Sequence, residues 1–219
     1  MLPNAPTTTG CEPAGDWPWT EPASTVTSLA FVLAGAWVLL RAARADDDGR
    51  APRVALGVLT VLIGAGSVVQ HGPAPAWNPL VHDPPLLGAL ALVAADGVAD
   101  LTGRPLRTWW WLAPTLADVG LAAVSVPASA AAQAVTAVVA VVVTLLRVRA
   151  RPEVRRRSLM ALTLLAVGAA VGRLSEPGMP WCAAGGWWGT PASGHALWHL
   201  LAAVALAVLA PAVGRRPRR

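Results

Sequence analysis

Lysine is missing from this sequence, and all 17 of its basic residues are arginines. Charge of either sign is scarce, at 13% of 219 residues, where a soluble globular domain carries about a quarter. That shortage argues against an ordinary soluble domain. A pI of 11.1 and a net charge of +5 would suit a nucleic-acid binder. However, the arginines stand in short clusters between apolar runs with no lysine among them, a pattern that membrane topology explains better. Cysteine is limited to two residues and histidine to four, so the placement of each is informative.

Apolar residues fill the space that charge leaves: they make up 55% of the chain, with a mean hydropathy of +0.53. Seven runs approach the ~20 residues that cross a bilayer core: 22–41, 52–71, 84–101, 108–126, 129–147, 157–174 and 192–213. In lipid every backbone polar group needs a partner within its own segment, so these runs predict helices. The expected fold is an all-α membrane protein, a seven-transmembrane helix bundle forming one domain over 1–214. A polar N-terminal segment covers 1–21 and a basic tail covers 215–219. The first 20 residues lack a basic n-region and do not read as a signal peptide. Ala, Val and Gly dominate the runs, and such small residues allow helices to approach closely.

Arginine predicts the orientation. Sixteen of the 17 fall between runs one and two, three and four, five and six, or in the tail; Arg173 alone falls on the other side. Basic residues collect on the cytoplasmic side. The N-terminus is therefore expected outside and the C-terminus in the cytoplasm, the membrane being the cell's own. The tryptophans of "TWWW" at 108–111 and the pair Trp187–Trp188 suit interfacial anchors. Asp96 and Asp100 lie towards the cytoplasmic end of run three, where Arg104 and Arg107 are the nearest cations along the chain. Cys11 and Cys182 share the predicted outer side, where a disulfide persists; two separate thiols are the alternative.

All four histidines, His71, His82, His195 and His199, belong to the outer end. His195 and His199 are four apart and share one helix face. His71 closes the second run at matching depth. Three imidazoles at one depth make a three-nitrogen zinc site with an open fourth position. A single intramembrane histidine serves more simply as interhelical hydrogen-bond glue, and an H-x3-H pair also suits haem or a proton path. Ser67 lies one turn before His71 on the same face, placed to donate to a developing oxyanion. Asp83 opens the third run, placed to act as a general base or to orient a ligand. His82 beside it reads as a loop side chain. Glu21, entering the first run, suits a helix N-terminus, and Asp118 in the fourth run has no evident partner.

"S-x3-H" closing the second run, Asp83 at the start of the third and "H-x3-H" in "HALWH" together resemble the alkaline ceramidase family. That family belongs to the superfamily of seven-helix membrane hydrolases that includes the adiponectin and progestin receptors. "CE" at Cys11–Glu12 and "E-x2-S-T-x-x-S" from Glu21 are similar to that family's N-terminus. The resemblance implies zinc on His71, His195 and His199, with Ser67 and Asp83 as catalytic residues. It also implies a Cys11–Cys182 disulfide and hydrolysis of the amide bond of ceramide or a related N-acyl lipid within the membrane. Glu12 and Glu21 match two of the family's calcium ligands. Thr9 and Gly10 stand where that pattern has Asp-Trp, and its asparagine after Glu12 is missing, although Asp16 offers a substitute oxygen. The superfamily also implies an alternative, a lipid-binding receptor or sensor with a structural zinc.

Overall fold

The structure, a computed structural model, describes residues 11–12, 18–183 and 194–216. Trp187–Trp188, Thr9, Gly10, Asp16 and the last three residues of the arginine tail lie outside them. The helices are α1 (Pro22–Ala43), α2 (Arg50–His71), α3 (Pro79–Thr102), α4 (Trp109–Val124), α5 (Val126–Ala150) and α6 (Pro152–Leu174), then a short α7 (Pro180–Ala183) and α8 (Gly194–Leu209). A 3-10 turn, Ala210–Ala212, extends α8. No strand occurs among the described residues.

Among the described residues, six helices are long and apolar enough to cross a membrane: α1, α2, α3, α5, α6, and α8 with its turn. This is a multi-pass helical membrane protein. The fourth expected run differs. α4 has 16 residues, about 24 Å at ~1.5 Å per residue, short of a hydrocarbon core of ~30 Å. Its end is set by Ser125, which leaves the helical conformation (φ −156°, ψ 101°) and caps α5 by accepting a hydrogen bond from the Ala128 amide. Pro127 in the first turn of α5 suits a helix start, because its missing N–H would be unpaired there anyway. The expected start at residue 129 therefore moves back to Val126.

α3 also begins early, at Pro79 rather than at residue 84, and Pro84 and Pro85 fall inside it. Pro85 has no N–H for the Val81 carbonyl four residues back. That carbonyl faces Gly66 of α2, so closely that a side chain at 66 would collide with it.

The spans form a ring. α1 packs on α2 and α8, α2 on α3, α3 on α5, α5 on α6, and α6 on α8. α4 lies against α3 and α5. The α1–α2 contact is backbone-close: a Cβ on Gly35 would stand 2.7 Å from the Gly57 carbonyl oxygen, and one on Gly64 would stand 2.8 Å from the Val32 nitrogen. Phe31, Leu56, Leu59, Ile63, Leu92 and Val154 fill the centre, while Leu33, Leu40, Leu116 and Val138 face outwards. An apolar exterior is the expected surface for lipid contact.

The ring brings the arginine-bearing junctions to one end and the helix ends carrying His71 and His195 to the other. At the arginine end Asp96 and Asp100 do not pair with Arg104 and Arg107 as their chain proximity suggests. Arg147 of α5, itself buried, donates from Nε to Asp100 at 2.7 Å and from Nη1 to Asp96 at 2.9 Å. Arg216 reaches Asp96 at 2.9 Å, and Arg151 stands 3.4 Å from Asp100. Arg104 and Arg107 project into solvent at a helix end, whereas α5 carries Arg147 along the inner face of α3.

Candidate metal centre

Three helix ends build the other extremity. α2 finishes at His71, α8 carries His195 and His199 on its first two turns, and α1 starts just after Glu21. The ring centroids of His195 and His199 are 4.7 Å apart, and His71 lies 4.9 Å from each. The three imidazoles thus form a nearly equilateral triangle. One nitrogen from each lies within 4.8 Å of the others. Nε2 of His71 and Nε2 of His195 stand 3.3 Å apart. Nitrogens ~2.0–2.1 Å from a tetrahedral zinc ion are about 3.4 Å from each other. The donor set, with the His71–His195 spacing, could hold a metal ion such as zinc.

The outward nitrogens of His71 and His199 have their own partners. Nδ1 of His71 contacts Oε2 of Glu21 in a buried pair. A carboxylate can only accept, so Nδ1 carries the proton and Nε2 turns a lone pair inwards. Nδ1 of His199 donates to the Ser24 carbonyl at 3.1 Å. The hydroxyls of Thr27 and Ser28 lie 3.2 and 3.4 Å from the same nitrogen. A carboxylate or carbonyl behind a histidine is what holds a metal-binding ring in its tautomer and orientation. His71 and His199 are buried and His195 is partly so.

Ser67 is buried one turn below His71. Thr60, Thr115 and Thr136 each donate to the carbonyl four residues back. The Ser67 hydroxyl has no such bond, nor any other among the described residues. Asp83 lies in the second turn of α3. Its Oδ1 accepts a hydrogen bond from Nδ1 of His82 at 2.8 Å, and its Oδ2 accepts from Ser129 at 3.3 Å. No direct contact joins Asp83 to the three histidines among the described residues, but His82 is close enough to His195 and His199 to act on them electrostatically. His82 is therefore a helical residue paired with Asp83 and not a loop side chain. Asp118 is buried near Ser129, and neither of its oxygens has a donor at hydrogen-bond geometry among the described residues.

The two glutamates matched to calcium both lie at the start of α1. Glu12 caps α1: its carboxylate accepts from the Ala23 amide, from the Ser24 amide at 3.0 Å and from the Ser24 hydroxyl at 2.9 Å. Glu21 occupies the N-cap position but makes no side-chain cap; its carboxylate goes to His71. Cys11 and Cys182 form a disulfide with their Cα atoms 5.3 Å apart, and the Cys11 amide donates to the Ser175 carbonyl at 3.2 Å. The bridge fastens the cap of α1 to the connection that leads into α8.

The support behind the histidines was missed in the sequence. The signal was present: Glu21, Ser24, Thr25 and Ser28 recur at three- and four-residue spacing in an otherwise apolar helix, which places them on one face. No protein-family model matches the chain, and no curated protein matches it. Fold and site together define a class, a multi-pass helical membrane protein with a buried three-histidine centre at one end.

Proposed function

We propose that the chain is a zinc-dependent intramembrane amidase of the alkaline ceramidase kind. It would hydrolyse the N-acyl amide of ceramide or a related N-acyl lipid to a fatty acid and an amine. One observation carries this reading: three imidazoles present nitrogens to a common point while Glu21 and the Ser24 carbonyl hold two of them from behind. In this reading α4 completes a seven-span bundle in the cell membrane, shortened at its arginine-poor end, with the N-terminus and the histidine centre outside and the C-terminus in the cytoplasm.

His71, His195 and His199 would hold the zinc ion, which supplies Lewis acidity towards the amide carbonyl and lowers the pKa of water to near 7. The protein supplies the rest. Glu21 keeps His71 turned inwards, and the Ser24 carbonyl does the same for His199. Ser67 has an uncommitted hydroxyl proton to donate to the carbonyl oxygen as it gains negative charge. Asp83 receives the proton from attacking water and returns it to the departing amine nitrogen; His82 and Ser129 position its two oxygens. The lipid would enter sideways between helices, its amide near the outer leaflet.

The test is purified full-length protein analysed for bound metal and assayed on a panel of N-acyl lipids with and without a zinc chelator. The reading predicts one zinc per chain, release of fatty acid, and loss of both metal and turnover in His199→Ala. Bound zinc without product on any N-acyl lipid would favour a receptor or sensor. A Soret band in the absorption spectrum would favour haem. Retention of full hydrolysis by His199→Ala would end the proposal.

A further inference from the structure

The arginine end holds a second concave site, and its case is independent of the histidine reading. A cleft of about 1510 Å³ opens where the ends of α1, α3 and α8 meet the starts of α2 and α6. Seven arginines and four carboxylates line it. Topology alone requires basic residues near the membrane surface; it does not require them to converge on one cavity.

Four of these arginines are uncommitted. Arg53 pairs with Asp47, Arg151 with Asp100 and Arg216 with Asp96. Arg41, Arg104, Arg157 and Arg215 have no carboxylate partner among the described residues. All four are exposed, and they come from four separate elements: the end of α1, the segment after α3, the first turns of α6 and the segment after α8.

The wall that carries Arg215 is built with care. The Gly214 amide donates to both oxygens of buried Asp96 at 3.1 Å, and Arg147 donates to the Arg215 carbonyl at 2.8 Å. The backbone on either side of the Arg215 side chain is thereby fixed, so the residue belongs to the cleft and not to a loose tail. Trp37 also lines the cleft, beneath the guanidinium of Arg41, which stands 5.2 Å from its ring centre. Trp37 also belongs to the outward apolar stripe of α1 with Leu33 and Leu40. The cleft therefore joins the lipid-facing surface along α1.

We propose that this cleft binds a phosphate oxyanion, with the headgroup of an anionic phospholipid as its source. The free arginines chelate the phosphate through paired N–H donors, and the acyl chains run down the Leu33–Trp37–Leu40 stripe. The four lining carboxylates disfavour large polyanions, which suits a single phosphate group.

The experiment uses the full chain in a neutral detergent, with binding read by native mass spectrometry and by the thermal shift on addition of short-chain phosphatidic acid. Phosphatidylcholine of the same chain length and inorganic phosphate serve as the other probes. Phosphatidic acid should bind, and phosphatidylcholine should bind at least tenfold more weakly. Arginines near a charged headgroup contribute ~1 kcal/mol each, about fivefold in affinity. R104Q/R157Q should thus weaken binding about 25-fold, whereas R44Q/R155Q, which changes two exposed arginines outside the cleft, should leave it unchanged. Inorganic phosphate binding as tightly as phosphatidic acid would assign the same site to a soluble phosphate. Equal losses in the two double variants, equal binding of phosphatidylcholine, or no binding of either phosphate probe would overturn the site.

Discussion

At one end of the bundle Asp96 and Asp100 are buried with Arg147, and their carboxylate oxygens are met by Arg147, Arg151, Arg216 and the Gly214 amide. At the other, three imidazole rings face one another, and one carboxylate stands behind the first of them. The first arrangement sets opposite charges against each other: the guanidiniums of Arg147, Arg151 and Arg216 face the two carboxylates. The second is convergent: inward lone pairs from separate helices share one small space, a costly arrangement unless a proton or a cation lies between them. Buried ionisable residues in a membrane protein are functional candidates by default. The contrast supplies a sharper criterion, which is whether the buried groups of the cluster meet partners of opposite charge within the chain.

The largest effect that would test this contrast is at Arg147. Removing one partner of a buried ion pair costs about 3–5 kcal/mol. Arg147→Met should therefore lower the melting temperature in detergent sharply or abolish recovery of folded protein, with the loss unaffected by chelator. A wild-type melting temperature in that variant would show that the arginine end is not a structural clamp.

Next comes Ser67→Ala. Loss of one oxyanion donor reduces kcat by about 10²–10³. Metal content and melting temperature should stay at wild-type values, because the hydroxyl holds no other group in place. Reduced zinc in this variant would reassign Ser67 to metal retention.

Glu21→Gln should weaken zinc binding about 10–100-fold, the usual effect of losing a carboxylate behind a histidine ligand. Competition against a chromogenic chelator measures this directly. An unchanged zinc affinity would mean that Glu21 serves only the start of α1. The smallest change is expected for Thr27→Val. The Ser24 carbonyl already accepts the His199 proton, so loss of the hydroxyl should cost about 0.6 kcal/mol, typical of an interhelical hydrogen bond in a membrane protein. A larger fall in zinc affinity than in Glu21→Gln would invert the ranking of the two supports.

Residues within single elements were the legible ones. Hydropathy placed α1, α2, α5 and α6 to within a few residues at most boundaries, because a span is defined by its own composition. The start of α3 was misplaced where proline acts on the backbone, and the fourth run, close to its expected bounds, ends just before a turn-forming serine. Pro84 and Pro85 looked like a start, yet α3 runs through them because Gly66 leaves room for the carbonyl that Pro85 cannot satisfy. Ser125 looked like span interior, yet it turns the chain between α4 and α5.

The sequence by itself determined that helices are buried in lipid, that arginine collects at one end, and that His195 and His199 share a face; each follows from hydropathy or helical period within one segment. Only the tertiary structure decided that Glu21 meets His71, that Ser24 meets His199, that Glu12 caps α1, and that Asp96 and Asp100 choose Arg147 over their nearer neighbours Arg104 and Arg107. Those pairings depend on how each helix is rotated and how deep it sits against a helix distant in sequence. For α1 and α2 that fit includes backbone-close contacts of Gly35 on Gly57 and Gly64 on Val32, which join residues that no local pattern pairs.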